Sequence, residues 1–149
     1  MKFPGMILVA ITLTIAAPTI ANAQGAWPDD EVCDVNTLRG TYVFAASGFN
    51  IVAGVAQPKA IVEVVEFNGD GTLSVPSATV SLNGAIIRSL PSVGTYTVAD
   101  DCSGTILLNG PAFDIIIARD AKTIWMIQTN PNSVFQGTAT RTSRGGGRR

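Results

Sequence analysis

From Thr37 onward the chain alternates short runs rich in Val, Ile, Thr and aromatic residues with clusters of Gly, Asn, Asp, Ser and Pro. Runs of the first kind suit a pleated, half-buried surface, and the clusters between them supply turn chemistry. The pattern predicts strands at about 40–48, 60–67, 72–82, 85–90, 93–99, 104–109, 112–119, 122–129 and 134–142. Asn68-Gly69-Asp70-Gly71, Asn83-Gly84 and Asp120-Ala121 each stand between two such patterns, where hairpin connections belong. No stretch of residues 24–149 holds a helical period behind a cap.

Eight or nine consecutive short strands joined by tight turns predict an all-β domain, an antiparallel up-and-down β-barrel of about eight strands. Closure is favoured because it removes exposed edges; a β-sandwich is the alternative. The segments "AIVEVVEF", "FDIIIA" and "TIWMIQ" barely alternate between apolar and polar. A fully solvated outer wall would alternate, so part of it is expected to be covered, and a homo-oligomer is the simplest cover.

The ends of the chain differ from its middle. Residues 1–23 carry Lys2, an apolar run from Met6 to about Ala17 and the small-residue triplet Ala21-Asn22-Ala23. This is the pattern of a secretory signal peptide cut before Gln24. The apolar run falls short of the roughly 20 residues that cross a bilayer, so no membrane span is expected and the product is secreted or periplasmic. Residues 24–36 read as a leader, 37–142 as the barrel domain and 143–149 as a solvated, disordered basic tail containing Arg144, Arg148 and Arg149. The two cysteines, Cys33 in the leader and Cys102 in the turn "ADDCSG", are read as one disulfide of an exported protein. Such a bond ties the leader across one end of the domain and is worth about 4 kcal/mol in the chain-entropy model.

Composition narrows the chemistry. The chain has no histidine, which excludes histidine-dependent nucleophile triads and imidazole zinc sites. There is no dinucleotide-binding or phosphate-binding glycine loop, and the formal net charge is −1, so neither a nucleotide cofactor nor a nucleic-acid partner is expected. "FNGDGTL" lacks the spread of ligands that a calcium loop needs, and a hairpin turn accounts for it. No cofactor or metal is expected.

Strand carboxylates remain. Glu63 and Glu66 are an odd number of residues apart and so point to opposite faces of a regular strand, with one of them inward. If Asp120-Ala121 is a two-residue turn, Asp114 lies opposite Ile127, and Ile116 faces Trp125. That places an acid, a tryptophan and isoleucines on one face, with Arg39, Arg88 or a backbone donor as partner for a buried Asp114. Tyr42, Phe44, Tyr96, Phe113, Gln128 and Gln136 are further candidates for the interior, subject to alternation.

Together "LRGTYVF", "VEFNGDGTLS" and "VGTYTVADDCSGTI" resemble a signature of small secreted bacterial barrels, similar to the calycins (lipocalin-like and avidin-like proteins) and to the allene-oxide-cyclase type. These motifs are turns and strand starts without a catalytic residue. The calycin-like resemblance implies capture of a small hydrophobic molecule; the cyclase-type resemblance implies a cofactor-independent cyclase or isomerase. The reading adopted is a non-catalytic binding protein for a small hydrophobic ligand, held in an interior pocket lined by Tyr42, Phe44, Tyr96, Asp114 and Trp125. In the enzymatic alternative Asp114 or Glu63 serves as acid or base. A third alternative is a structural envelope protein or a protease inhibitor whose acidic leader "QGAWPDDEVC" enters a cleft.

Overall fold

The computed structural model describes residues 32–88 and 90–144. The expected signal peptide, the expected leader up to residue 31 and the tail from residue 145 lie outside the described residues. Nine strands follow one another: β1 (Arg39–Val52), β2 (Val55–Asn68), β3 (Thr72–Leu82), β4 (Ala85–Arg88), β5 (Ser92–Val98), β6 (Ser103–Leu108), β7 (Ala112–Ile117), β8 (Thr123–Gln128) and β9 (Ser133–Ser143). All pairings are antiparallel, in the order β2-β1-β9-β8-β7-β6-β5-β3-β4. A further β2–β3 pairing closes eight of them into a barrel and leaves β4 outside the ring.

β4 is extra because β3 changes partner along its length. Thr72–Val75 pairs with β5, whereas Thr79–Leu82 pairs with β4. Pro76 sits at the handover, and the β2–β3 register shifts between Val64 and Glu66 at the same height. A proline has no N–H to give a ladder, so a break there sacrifices nothing. The β3–β4 turn is the expected Asn83-Gly84, with φ of 48° and 86°, the positive pair that a type I′ hairpin needs.

β1 and β2 run further than their residues predict. Each has 14 residues, and they meet at Ala53-Gly54 (φ 50° and 78°). "FNIVAGVAQP" reads locally as a loop, yet it stays extended because its two halves continue the β1–β2 ladder, from Phe49 with Pro58 to Val52 with Val55, although β9 reaches only as far as Asn50 and β3 begins at Lys59. Pairing with neighbours overrides a weak local preference.

Cross-strand register stacks the inward residues in belts. One runs Ile117, Ile124, Ala139, Phe44, Glu63, Ala78, and the next toward the Ala53-Gly54 end runs Ile115, Met126, Gly137, Ala46, Ile61, Val80. A side chain on Gly137 would strike the Ala45 carbonyl, so β1 and β9 can approach this closely only because glycine is there.

The end that bears the chain termini is closed. Asp34 caps a 3-10 turn over Val35–Thr37: its Oδ1 accepts from Thr37 N at 3.1 Å, while Thr37 Oγ1 accepts from Asp34 N at 2.9 Å. Leu38 then enters the core fully buried. The Cys33–Cys102 disulfide forms as expected, with Cα atoms 5.1 Å apart, and pins this plug to the β5–β6 turn. Asp70, Asp101 and Asp120 organise the turns at the same end, each Oδ1 accepting from the backbone N–H two residues on at 2.9 Å. These bonds hold their carboxyls below the usual range, through the Thr72 hydroxyl first for Asp70, the Ser103 hydroxyl first for Asp101 and the Lys122 N–H first for Asp120.

Candidate functional site

The five residues expected to share an interior pocket divide between two sides of the wall. Tyr42, Phe44 and Tyr96 point inward and are buried, where they fill space and hold the closed end. The Tyr42 hydroxyl donates to Ala121 O at 2.6 Å, and that of Tyr96 donates to Val35 O at 2.7 Å and Leu38 O at 2.9 Å. Edge-to-face contacts run from Tyr42 through Phe67 to Tyr96, with centroids 5.2 and 5.1 Å apart. Burial raises both phenol pKa values; the Arg141 charge partly offsets this at Tyr42. Phe113, also inward, meets Phe44 edge-to-face at 5.9 Å.

Asp114 and Trp125 lie on the outer wall, Trp125 being 52% exposed, and this corrects their expected interior placement. The expected pairing itself is present: Asp114 opposes Ile127 and Ile116 opposes Trp125. The other parity, Phe113, Ile115 and Ile117 with Ile124 and Met126, is the one that fills the barrel. The outward parity of β7 mixes Ala112 and Ile116 with the charged Asp114, so Asp114 was the one local signal for the outside and the isoleucines gave none. Gln136 is likewise exposed, while Gln128 points to the barrel mouth.

On that outer wall the sheet forms a groove of about 430 Å³ lined by Asp114, Ile116, Trp125, Ile127, Gln136 and Thr138, among others. Two neighbouring rows run through it and on across the wall, over five strands in all. One is Ile116, Trp125, Thr138, Ala45, Val62; the other is Asp114, Ile127, Gln136, Ser47, Ala60. Asp114 is the only charged residue in either row. Ile116, Ile127 and Val62 are 54%, 53% and 56% exposed, so this is a continuous apolar surface with a few hydrogen-bonding groups. That is the mixture small-molecule sites use.

A second constellation occupies the barrel mouth beside the Ala53-Gly54 hairpin. Lys59 Nζ donates to Gln128 Oε1 at 3.2 Å and lies 4.2 Å from the Phe135 ring centroid. Gln128 Nε2 donates in turn to Asn130 Oδ1 at 3.0 Å. Four residues on from Lys59 and on the same face, Glu63 is 7% exposed, the one buried charged side chain among the described residues. It sits between Phe44 and Ala78 and makes no hydrogen bond within the described chain. Burial pushes its carboxyl up to about 7, with Lys59 pulling the other way. Burial likewise lowers the Lys59 ammonium, which Glu63 partly restores. Glu66 is exposed and accepts from Ser74 Oγ at 3.3 Å, so the opposite-face expectation for the two glutamates holds. Lys59 escaped the sequence reading, although its even spacing from Glu63 was the available signal.

Neither family models, nor curated proteins, nor solved structures yield a match to this chain.

Proposed function

We propose that the protein is an exported, non-catalytic binding barrel for a small hydrophobic molecule, which it takes into the outer-wall groove around Trp125. The groove carries this reading: its volume of about 430 Å³ falls in the range of small-molecule sites, and its apolar floor is bordered by a few polar groups. Asp114 at its edge favours a ligand that presents a hydrogen-bond donor or a positive charge. The resemblance of the strand-start motifs to calycin-type barrels accords with a binding role. The disulfide accords with export to an oxidising compartment, secreted or periplasmic. The packed interior is the reason the site is assigned to the wall.

The exposed apolar residues of the wall outside the groove, Val43 and Val62 among them, favour a second feature of the same reading, a homo-oligomer in which another copy covers that neighbouring part of the wall and leaves the groove open, since interface cores are depleted of charged residues. Titration of the mature protein with a panel of apolar molecules tests the ligand, followed by calorimetry and by tryptophan fluorescence in a Trp27→Phe background that isolates Trp125. Binding should be lost in Trp125→Ala and weakened modestly in Asp114→Asn, both of which leave the fold intact because the residues are exposed. Binding that survives Trp125→Ala would sink the assignment. Native mass spectrometry checks the oligomer, and a monomer at micromolar concentration refutes it.

A further inference from the structure

We propose that Asn83, at the tip of the β3–β4 hairpin, is a site of spontaneous modification: its side chain closes on the Gly84 nitrogen, sheds ammonia and ages to an isoaspartyl link that unpairs β4. This inference does not depend on the outer-wall groove.

The chain holds three Asn-Gly pairs, Asn68-Gly69, Asn83-Gly84 and Asn109-Gly110. Glycine has no Cβ to crowd its nitrogen, so all three share the same intrinsic chemistry, and the fold tells them apart. At the first, Asn68 Nδ2 donates to Thr72 Oγ1 at 2.9 Å, and Gly69 is buried beside the Arg39 stem. At the third, Gly110 is held on both sides: its N–H donates to Leu108 O at 2.7 Å, and its carbonyl accepts from Asn130 Nδ2 at 3.0 Å. Asn83 and Gly84 are both exposed. Neither the Asn83 side chain nor the Gly84 N–H has a hydrogen-bond partner among the described residues, and nothing lies within 4 Å of the place a Gly84 side chain would take. Only the Asn83 N–H is tied, to Pro58 O at 2.8 Å, and that group takes no part in ring closure.

The chemistry needs water alone. The Gly84 nitrogen gives up its proton and its lone pair adds to the side-chain carbonyl carbon of Asn83. The bond from that carbon to the side-chain nitrogen then breaks, and the nitrogen leaves as ammonia with the proton. Water opens the resulting succinimide at either carbonyl, giving aspartate or isoaspartate. The sum is one asparagine and one water to one acid and one ammonia. Isoaspartate carries the main chain through the former side-chain carbon, which adds a backbone atom to a two-residue turn whose φ values of 48° and 86° set the β3–β4 register. β4 is the strand that gives way, because β3 is its only neighbour among the described residues, whereas each strand of the closed ring has two.

The test ages the mature protein at mildly alkaline pH, in native buffer and in urea, and follows the acid formed at each Asn-Gly pair by fragmentation mass spectrometry that separates aspartyl from isoaspartyl residues. In urea the three pairs should react at comparable rates. In the folded protein conversion at Asn83 should run severalfold ahead of Asn68 and Asn109. Thr72→Val, which frees the Asn68 side chain, should speed conversion at Asn68 and leave Asn83 as it was. In the aged fraction that carries the isoaspartyl link, hydrogen exchange should quicken at Ala85 and Ile87, whose amides the alternating ladder turns toward β3, and stay unchanged in β6 and β7. Equal conversion of the three pairs in the folded protein, or a lead by Asn68 or Asn109, overturns the assignment of Asn83; protection of Ala85 and Ile87 equal to that in fresh protein overturns the unpairing of β4. Because the ranking is read within the wild-type chain, it holds even if Thr72→Val fails to fold.

Discussion

Replacing Glu63 with glutamine should make the protein more stable above neutral pH and leave it unchanged in acid. Burial among Phe44, Ala78 and their belt moves the Glu63 carboxyl from an ordinary 4.5 to about 7. The folded state therefore holds its proton more tightly than the unfolded state does. Its favourable contribution is fully present below about pH 4.5 and is lost as pH rises through 7. The difference of about 2.5 units corresponds to about 3 kcal/mol, a large share of the stability of a small domain. A glutamine keeps the volume and cannot ionise, so it resembles the protonated acid at every pH. Urea denaturation of both proteins from pH 4 to 8.5 should show curves that coincide at the acid end and separate to about 3 kcal/mol above pH 7, with Glu63→Gln the more stable. Asp70, Asp101 and Asp120, whose carboxyls are held below 3.8, have the opposite sign: their contribution is present above 3.8 and disappears as pH falls through their folded values. They are common to both proteins and cancel in the difference. A gap that does not change with pH, or a Glu63→Gln variant less stable at pH 8, would refute the account of an acid whose burial Lys59 offsets only in part.

Two other perturbations address the closed end. Breaking the Cys33–Cys102 bond, by reduction or by Cys33→Ala with Cys102→Ala, frees a loop spanning 69 positions and should cost about 4 kcal/mol, measured as the shift in denaturation midpoint with and without reductant; an unchanged midpoint would show that the bond does not constrain the unfolded chain. Tyr96→Phe removes the donor shared by the Val35 and Leu38 carbonyls and should cost about 1–3 kcal/mol. Hydrogen exchange should reveal faster opening of residues 33–38 in that variant, and protection equal to wild type would contradict the role given to the hydroxyl.

Much of the architecture is legible in the sequence because it is set locally. Asn83-Gly84 adopts the paired positive φ values that its residues tolerate, and strand composition between such turns yields nine strands, all near their observed places. A cysteine in the leader and another in a hairpin turn sufficed to name the disulfide. The length of β1 and β2 was not legible, since "FNIVAGVAQP" extends by pairing its own two halves as a continuation of the long β1–β2 ladder. Nor was the mouth cluster, which brings Lys59 to Gln128 across 69 positions of chain.

The side of the wall on which each residue lies shows most clearly where local information stops. Pairing put Asp114 opposite Ile127 and Ile116 opposite Trp125, and the structure agrees. Yet "AFDIII" has isoleucines in both parities, with Asp114 the single polar mark, and closure of the sheet determines which parity turns inward. Phe113, Ile115 and Ile117 do so because Ile106, Ile124, Met126 and Phe44 meet them there as one packed interior. The sequence by itself thus determined strands, turns, staple and the chemistry lost with histidine. The tertiary structure decided the faces, because filling a closed volume depends on every strand at once and on no single one of them.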